Sequence, residues 1–199
     1  TAADYLRSRL NFDRDVFGTG YVMRSADYDR LGGIPPFEKL FFADDALWLS
    51  LMRGSYKAND PSNHFAVRIH PKSESASLPS AWAAILKGLG QFNDFLGRYT
   101  EGDADVRDVV QKLGPTFLLV YHRHAYIYAL VEACQARRPI SAVTKQQIES
   151  SLAACTGLTE TDLRRSTKLR LIEILNRSPL RSCVPWLWDT YYKLKTRAK

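Results

Sequence analysis

Trp82, Ile85, Leu86, Leu89, Phe92, Phe95 and Leu96 recur at intervals of three and four residues. Such spacing places all seven on one side of an α-helix, so this stretch has to bury an apolar stripe against a partner surface. Pro79 opens the predicted helix, and the segment Gly97 to Gly102 reads as a boundary. Beyond it the chain reads as helical. Asp103 caps one predicted helix, closed by Leu113-Gly114-Pro115, and Thr116 caps another running to Arg138-Pro139. Thr144 with Gln147 has the capping-box pattern, Thr159 opens a helix that stops near Ser178-Pro179, and Pro185 suits the first position of a last helix, Trp186 to Lys199.

A chain of 199 residues, 45% hydrophobic and 25% charged, is long enough to bury a core and too apolar to be disordered. Cys134, Cys155 and Cys183 are odd in number and far apart, without Cys-x-x-Cys or histidine at zinc-ligand spacing. They are expected to be buried free thiols in a reducing compartment. The greasiest segment, Phe117 to Cys134, is broken by His122-Arg123-His124, so no bilayer span is expected and the expected location is cytoplasmic. The net charge of +7 is uneven: residues 1–100 hold 12 basic and 11 acidic side chains, residues 101–199 hold 16 and 10. From Arg164 onward the count is 10 basic against 2 acidic, a face that suits an anionic partner, lipid or nucleic acid, or simply solvation.

The first hundred residues read differently. Thr1 to Arg14 is polar and assigns itself to no element. Gly18 and Gly20 form a loop feeding a short predicted strand through Tyr21-Val22-Met23, and Ser25 caps a brief helix, Ala26 to Leu31, that Gly32 ends in the left-handed conformation. Gly32-Gly33-Ile34-Pro35-Pro36 then turns the chain into Phe41-Phe42, where Asp44 and Asp45 open an amphipathic helix carrying Trp48, Leu51 and Met52 inward. Phe65-Ala66-Val67-Arg68-Ile69 alternates as a strand does, with His70 directly at its end.

Taken in order, Gly18-Thr19-Gly20-Tyr21-Val22-Met23-Arg24, Tyr28-Asp29-Arg30-Leu31-Gly32-Gly33 and Phe42-Ala43-Asp44-Asp45-Ala46-Leu47-Trp48-Leu49 resemble the acceptor-side half of family 2 glycosyltransferases, enzymes of the GT-A fold. Gly54-Ser55-Tyr56-Lys57 and Val67 to Ser75 continue the resemblance, which covers residues 17–80. It implies an α/β fragment of a GT-A-type fold over residues 1–98, followed by an all-α extension over 99–199, with mainly helical content overall.

The activity implied is inverting transfer of a sugar from a nucleotide-sugar donor to a glycan or lipid-linked acceptor, in surface polysaccharide assembly. A base takes the proton of the attacking hydroxyl, and a divalent metal, Mg or Mn, neutralises the departing nucleoside diphosphate. The resemblance gives Asp45 the role of base and Asp44, where the family more often has Glu, that of orienting base or acceptor. It places Gly32, Gly33 and Arg24 in substrate binding and His70 at the metal. Of the three Asp-x-Asp strings, Asp13/Asp15, Asp27/Asp29 and Asp103/Asp105, none follows a buried strand, so none is read as the family's metal motif. The donor-binding half with most of the metal's ligands is therefore expected outside this chain.

Plainer chemistry explains some of the same residues. An Asp N-cap followed by a second acid is what the positive end of a helix favours, contributing about 0.5–2 kcal/mol. His122 and His124 are two apart on a predicted helix, so their rings diverge and are expected to be structural. The aromatic and basic segment 186–199 could lie on an anionic membrane surface, making the protein peripheral at the inner face, or dock its aromatics on its own domain. A competing reading takes residues 144–177, with Ala153, Gly157 and Leu163 spaced as in a helix-turn-helix, for a DNA-binding module or a non-enzymatic helical interaction domain. Glu160 and Asp162 at the start of its recognition helix repel phosphate, so nucleic acid is not the expected partner.

Overall fold

The computed structural model describes residues 1–13, 21–58, 81–188 and 190. Among these residues there is no strand, which corrects the expected α/β GT-A fragment to a helical protein. Residues 21–24 take no regular structure, and Val22 is 93% exposed. A strand without a neighbour leaves its backbone groups unpaired, and the apolar character of Tyr21-Val22-Met23 supplies no such neighbour. The other predicted strand, Phe65 to Ile69, lies outside the described residues, as do Gly18, Gly20, His70 and Pro79.

The elements are α1 (Ala2–Leu10), α2 (Ser25–Arg30), a 3-10 turn (Glu38–Leu40), α3 (Ala43–Met52), α4 (Trp82–Tyr99), α5 (Ala104–Gln135), α6 (Ala142–Thr156), α7 (Glu160–Arg164), α8 (Thr167–Arg177) and a second 3-10 turn (Pro179–Cys183). They divide into two compact units, one of Thr1–Ser73 with Lys87–Leu118, the other of Glu74–Leu86 with Leu119–Lys199.

In the first unit the polar N-terminal stretch, unassigned from sequence, is α1. Thr1 and Asp4 form a reciprocal capping box, and the helix buries Tyr5, Leu6, Arg9 and Leu10. α4 contributes Leu89, Phe92 and Leu96, all buried, as its apolar period requires. Phe92 stacks on Phe42 at 5.3 Å and Phe117 lies tilted 6.3 Å from Phe92, so one aromatic cluster joins α4, α5 and the entry to α3. Rings at these separations add about 0.5–1.5 kcal/mol per pair beyond their burial.

Several predicted boundaries move. Leu113-Gly114-Pro115 does not end a helix: α5 continues through Pro115 to Gln135, while Asp103 caps its start by accepting from Val106 N at 3.0 Å. An interior proline costs about 3 kcal/mol, and burial of Phe117 and Leu118 directly beyond it offsets that cost. Ser25 is the first helical residue of α2, with Arg24 as N-cap.

In the second unit, Ser141 rather than Thr144 caps α6, accepting from Thr144 N at 3.0 Å. The single helix expected from Thr159 to Ser178 is two. Thr159 and Asp162 form a capping box on α7, and Ser166 caps α8 by accepting from Leu169 N. His122 is fully buried with Nε2 3.0 Å from Ser151 Oγ, and Trp82 Nε1 donates to Glu132 at 2.6 Å. Of the three thiols only Cys134 is buried; Cys183 is exposed. No described helix is long and apolar enough to cross a membrane.

Candidate functional site

The acid pair sits in the first turn of α3, one residue past a left-handed entry. Phe42, not an aspartate, is the N-cap, with φ +64°, and Lys39 and Leu40 have φ +46° and +59°. Left-handed backbone costs an L-residue about 1–2 kcal/mol, so three such residues within four positions make a strained approach to the two carboxylates. Stacking of Phe42 on Phe92 and its edge contact with Phe117 at 6.2 Å help hold it. Phe41 in turn lies against Gly88 of α4, where an added Cβ would come within 2.7 Å of the Phe41 Cβ.

Asp45 points inward and is 3% exposed. Tyr5 and Arg9, one turn apart on α1, converge on it. Arg9 Nε donates to Oδ1 at 2.9 Å and Nη2 to Oδ2 at 3.1 Å, while the Tyr5 hydroxyl donates to Oδ1 at 3.1 Å. Burial, with the adjacent Asp45 charge, pushes the Tyr5 phenol well above its ordinary range, so it stays protonated and remains a donor. The guanidinium carbon also lies 5.2 Å from the Phe117 ring centroid. Both oxygens of Asp45 are thus committed to protein donors in a desolvated setting.

Asp44 is the opposite case. It is half-buried, and among the described residues no hydrogen bond or ion pair engages it. Desolvation first, and the Asp45 charge second, raise its pKa above the ordinary carboxylate value of 3.8. A carboxylate made more basic, left unpaired and set beside an anchored neighbour is equipped to accept a proton.

The other residues named from sequence lie apart from this arrangement. Gly32 and Gly33 have φ +75° and +87° and form the turn after α2, where a Cβ on Gly33 would sit 3.2 Å from the Tyr28 hydroxyl. Their backbone freedom serves that turn. Arg24 is exposed at the head of α2, and no hydrogen bond among the described residues links it to the acid pair. Trp48 stacks on Tyr21 at 4.2 Å in the manner of a packing residue.

The described residues do not fit a divalent metal. Three donors already converge on the Asp45 carboxylate, and no group of three His, Cys, Asp or Glu comes together among the described residues. His70 lies outside the described residues. Toward the C-terminal end of α3, a cleft of about 320 Å³ is lined by Arg30, Ser50, Arg53, Phe95, Arg98 and Tyr99. Ser50 lies six positions after Asp44, about 9 Å along the helix axis.

The helix-turn-helix spacing over 144–177 folds otherwise than that motif requires. Gly157 makes the left-handed turn at φ +69°, but Ala153 is exposed rather than at a helix crossing, and α7 spans only five residues. Arg164 is drawn to Glu160 at 2.6 Å and to Glu149 and Glu173 at 3.9 and 3.8 Å, which takes it from phosphate contact.

Sequence reasoning missed Tyr5 and Arg9. Thr1-x-x-Asp4 is a capping-box pattern, and with it Tyr5 and Arg9 fall at helical i, i+4 spacing, a signal that was present though short. No family model, curated protein or solved structure matches the chain.

Proposed function

We propose that this chain carries the acceptor-side acid pair of a glycosyltransferase acting on a nucleotide-sugar donor and a glycan or lipid-linked acceptor. The reading rests on the motif order leading to Asp44 and Asp45, without the sheet that the resemblance implied. The observation that carries it is the division of labour in the pair: Asp45 is locked by Arg9 and Tyr5, while Asp44 is unpaired among the described residues and has a raised pKa. The proton acceptor is accordingly Asp44 rather than Asp45.

In the step proposed, the Asp44 carboxylate takes the proton of an acceptor hydroxyl as that oxygen bonds to the anomeric carbon. The bond from that carbon to the nucleoside diphosphate breaks with its electron pair on the phosphate oxygen, inverting the centre. Asp45 acts as a positioning residue that fixes the first turn of α3 and, by its charge, keeps Asp44 basic. A base so placed contributes about 10²–10⁴-fold to the rate. The donor nucleotide and any divalent metal are assigned to residues beyond those described.

The test is release of nucleoside diphosphate from a panel of nucleotide sugars by the full-length protein in the presence of oligosaccharide and lipid-linked acceptors. Asp44→Asn is expected to reduce release at least about 100-fold with little change in KM. Release at the wild-type rate by Asp44→Asn removes the base assignment, and absence of release from every donor removes the transfer reading.

A further inference from the structure

The second unit carries a surface whose apolar and charged residues are arranged unlike those of a solvated face. α8 buries Leu169, Ile172, Glu173 and Asn176 on its inner side. Its outer side is apolar as well, because Leu171 and Ile174, one turn apart, are 57% and 65% exposed. Helical periodicity puts Arg170 and Arg177 together along one edge of this pair and Lys168 along the other. The chain continues the pattern past α8, where Leu180, Trp186 and Leu187 are 58%, 67% and 45% exposed. Lys168 Nζ lies 5.0 Å from the ring centroid of Trp188, fastening the segment after the second 3-10 turn beside the first turn of α8.

The charge of α8 and the segment after it is mainly positive. Between residues 164 and 188 there are six basic side chains and a single acidic one, Glu173. That carboxylate is buried, and it is spent internally: Lys145 Nζ and Arg177 Nη2 each lie 2.8 Å from its Oε1. Burial by itself would raise the Glu173 pKa, but Lys145, Arg164 and Arg177 outweigh it and hold the group ionised. Arg170 forms no ion pair among the described residues, and Arg165 only a long one, 3.5 Å, to Asp162. These arginines border a cleft of about 600 Å³ lined also by Ile174 and by Arg164 and Arg177, whose charges are met there by Glu160 and Glu173.

A central apolar ridge with cations on both edges is the arrangement that lets aliphatic tips enter an acyl boundary while long basic side chains reach back to headgroups. Exposed apolar residues are ordinary singly, but here Leu171, Ile174, Leu180 and Trp186 follow one another along one basic stretch, and a second copy of this surface would bring cations against cations. We propose that the outer face of α8, with Leu180 and Trp186, binds the surface of an anionic lipid bilayer, Arg165 and Arg170 receiving lipid phosphates. The contact proposed is made by α8; most of the 186–199 segment, where membrane contact was expected, lies outside the described residues. This inference is independent of the acid pair, which belongs to the other unit.

Vesicle flotation tests it on the full chain, with vesicles of phosphatidylcholine alone and of phosphatidylcholine and phosphatidylglycerol in equal parts. Flotation with the anionic vesicles only, weakening as salt rises, is expected. Arg170→Ala should lower partitioning about fivefold, the effect of one cation at such a surface. Ile174→Glu should abolish it, and Leu171→Ser, a milder change checked alongside by circular dichroism, should reduce it with the fold intact. Asp44→Asn should float as the wild type does, so that failure of the transfer reading and failure of this one are told apart. The proposal is overturned by absence of flotation with anionic vesicles, by equal flotation with phosphatidylcholine alone, or by wild-type flotation of folded Ile174→Glu. It is also overturned if the chain is a dimer that Ile174→Glu converts to monomer while neither form floats, since the face would then join two copies.

Discussion

Arg9 on α1 holds both carboxylate oxygens of Asp45 on α3, at 2.9 and 3.1 Å, across 36 positions of sequence and with both side chains under a tenth exposed. Together with the Tyr5 hydroxyl, which donates to Asp45 Oδ1 at 3.1 Å, the pair is a buried polar tie between the two helices. Removing one member of a buried pair leaves a desolvated charge without a partner, so Asp45→Ala should lower unfolding stability by about 3–5 kcal/mol. Arg9→Met with Asp45→Leu together should recover much of that loss, because no charge is then stranded. Urea unfolding of the single and double variants measures both, and additive losses would contradict the ion-pair account.

Asp44 titrates in the opposite sense from a salt-bridged acid. Its pKa is raised in the folded state, by burial and then by Asp45, so folding binds its proton more tightly than the unfolded chain does. The associated stability is fully present below the ordinary carboxylate value and is lost as pH rises through the raised one. Asp44→Asn should therefore melt higher than the wild type at neutral pH, with the difference shrinking toward acid. The acid limb of the transfer rate should fall above the ordinary carboxylate range for the same reason.

Gly88 is the point where α4 approaches the strained entry to α3. A Cβ there would meet the Phe41 Cβ at 2.7 Å and its carbonyl oxygen at 3.3 Å, and the second contact is with backbone. Gly88→Ala should destabilise by about 1–3 kcal/mol despite the better helix propensity of alanine. Gly90, in the same helix with nothing within 4 Å, is the control, and its alanine variant should be neutral or stabilising by up to about 1 kcal/mol.

Leu40 combines two unfavourable features, φ +59° and 55% exposure. Leu40→Gly should stabilise by about 1 kcal/mol, since it relieves the left-handed strain and forfeits little burial. A thermal melt detects this as a rise of a few degrees, and a fall would mean that the leucine packs more than its exposure implies.

Some of this structure was legible in the letters. The period of Ile85, Leu86, Leu89, Phe92 and Leu96 specified α4, and all five are buried. Gly32 and the acid pair specified a left-handed stop after α2 and the head of α3, because a glycine's φ freedom and acids in a first turn are local chemistry. Boundaries set by competition were less legible. Pro115 is a breaker by local rule, and the helix passes through it where the burial of Phe117 and Leu118 outweighs a missing hydrogen bond. The strand read into Tyr21-Val22-Met23 needed a partner that its own composition does not supply.

The candidate site divides the same way. Two adjacent carboxylates opening a helix were evident, and so was the order of motifs around them. Which acid is buried was not, because Asp44 and Asp45 are chemically identical and one position apart on a helix. The rotation of about 100° between successive helix positions turns one side chain toward α1 and leaves the other half-exposed.

By itself the sequence determined what depends on neighbours within a few positions: helical periods, caps, left-handed glycines, and the accumulation of basic residues from Arg164 onward. Tertiary structure alone decided what depends on which helices meet. It gave Asp45 to Arg9 and Tyr5, left Asp44 without a partner among the described residues, enclosed Glu173 among cations and turned Leu171 and Ile174 outward. Those outcomes are set by desolvation and by pairing between groups tens of residues apart, and no local spacing encodes which surface will be covered.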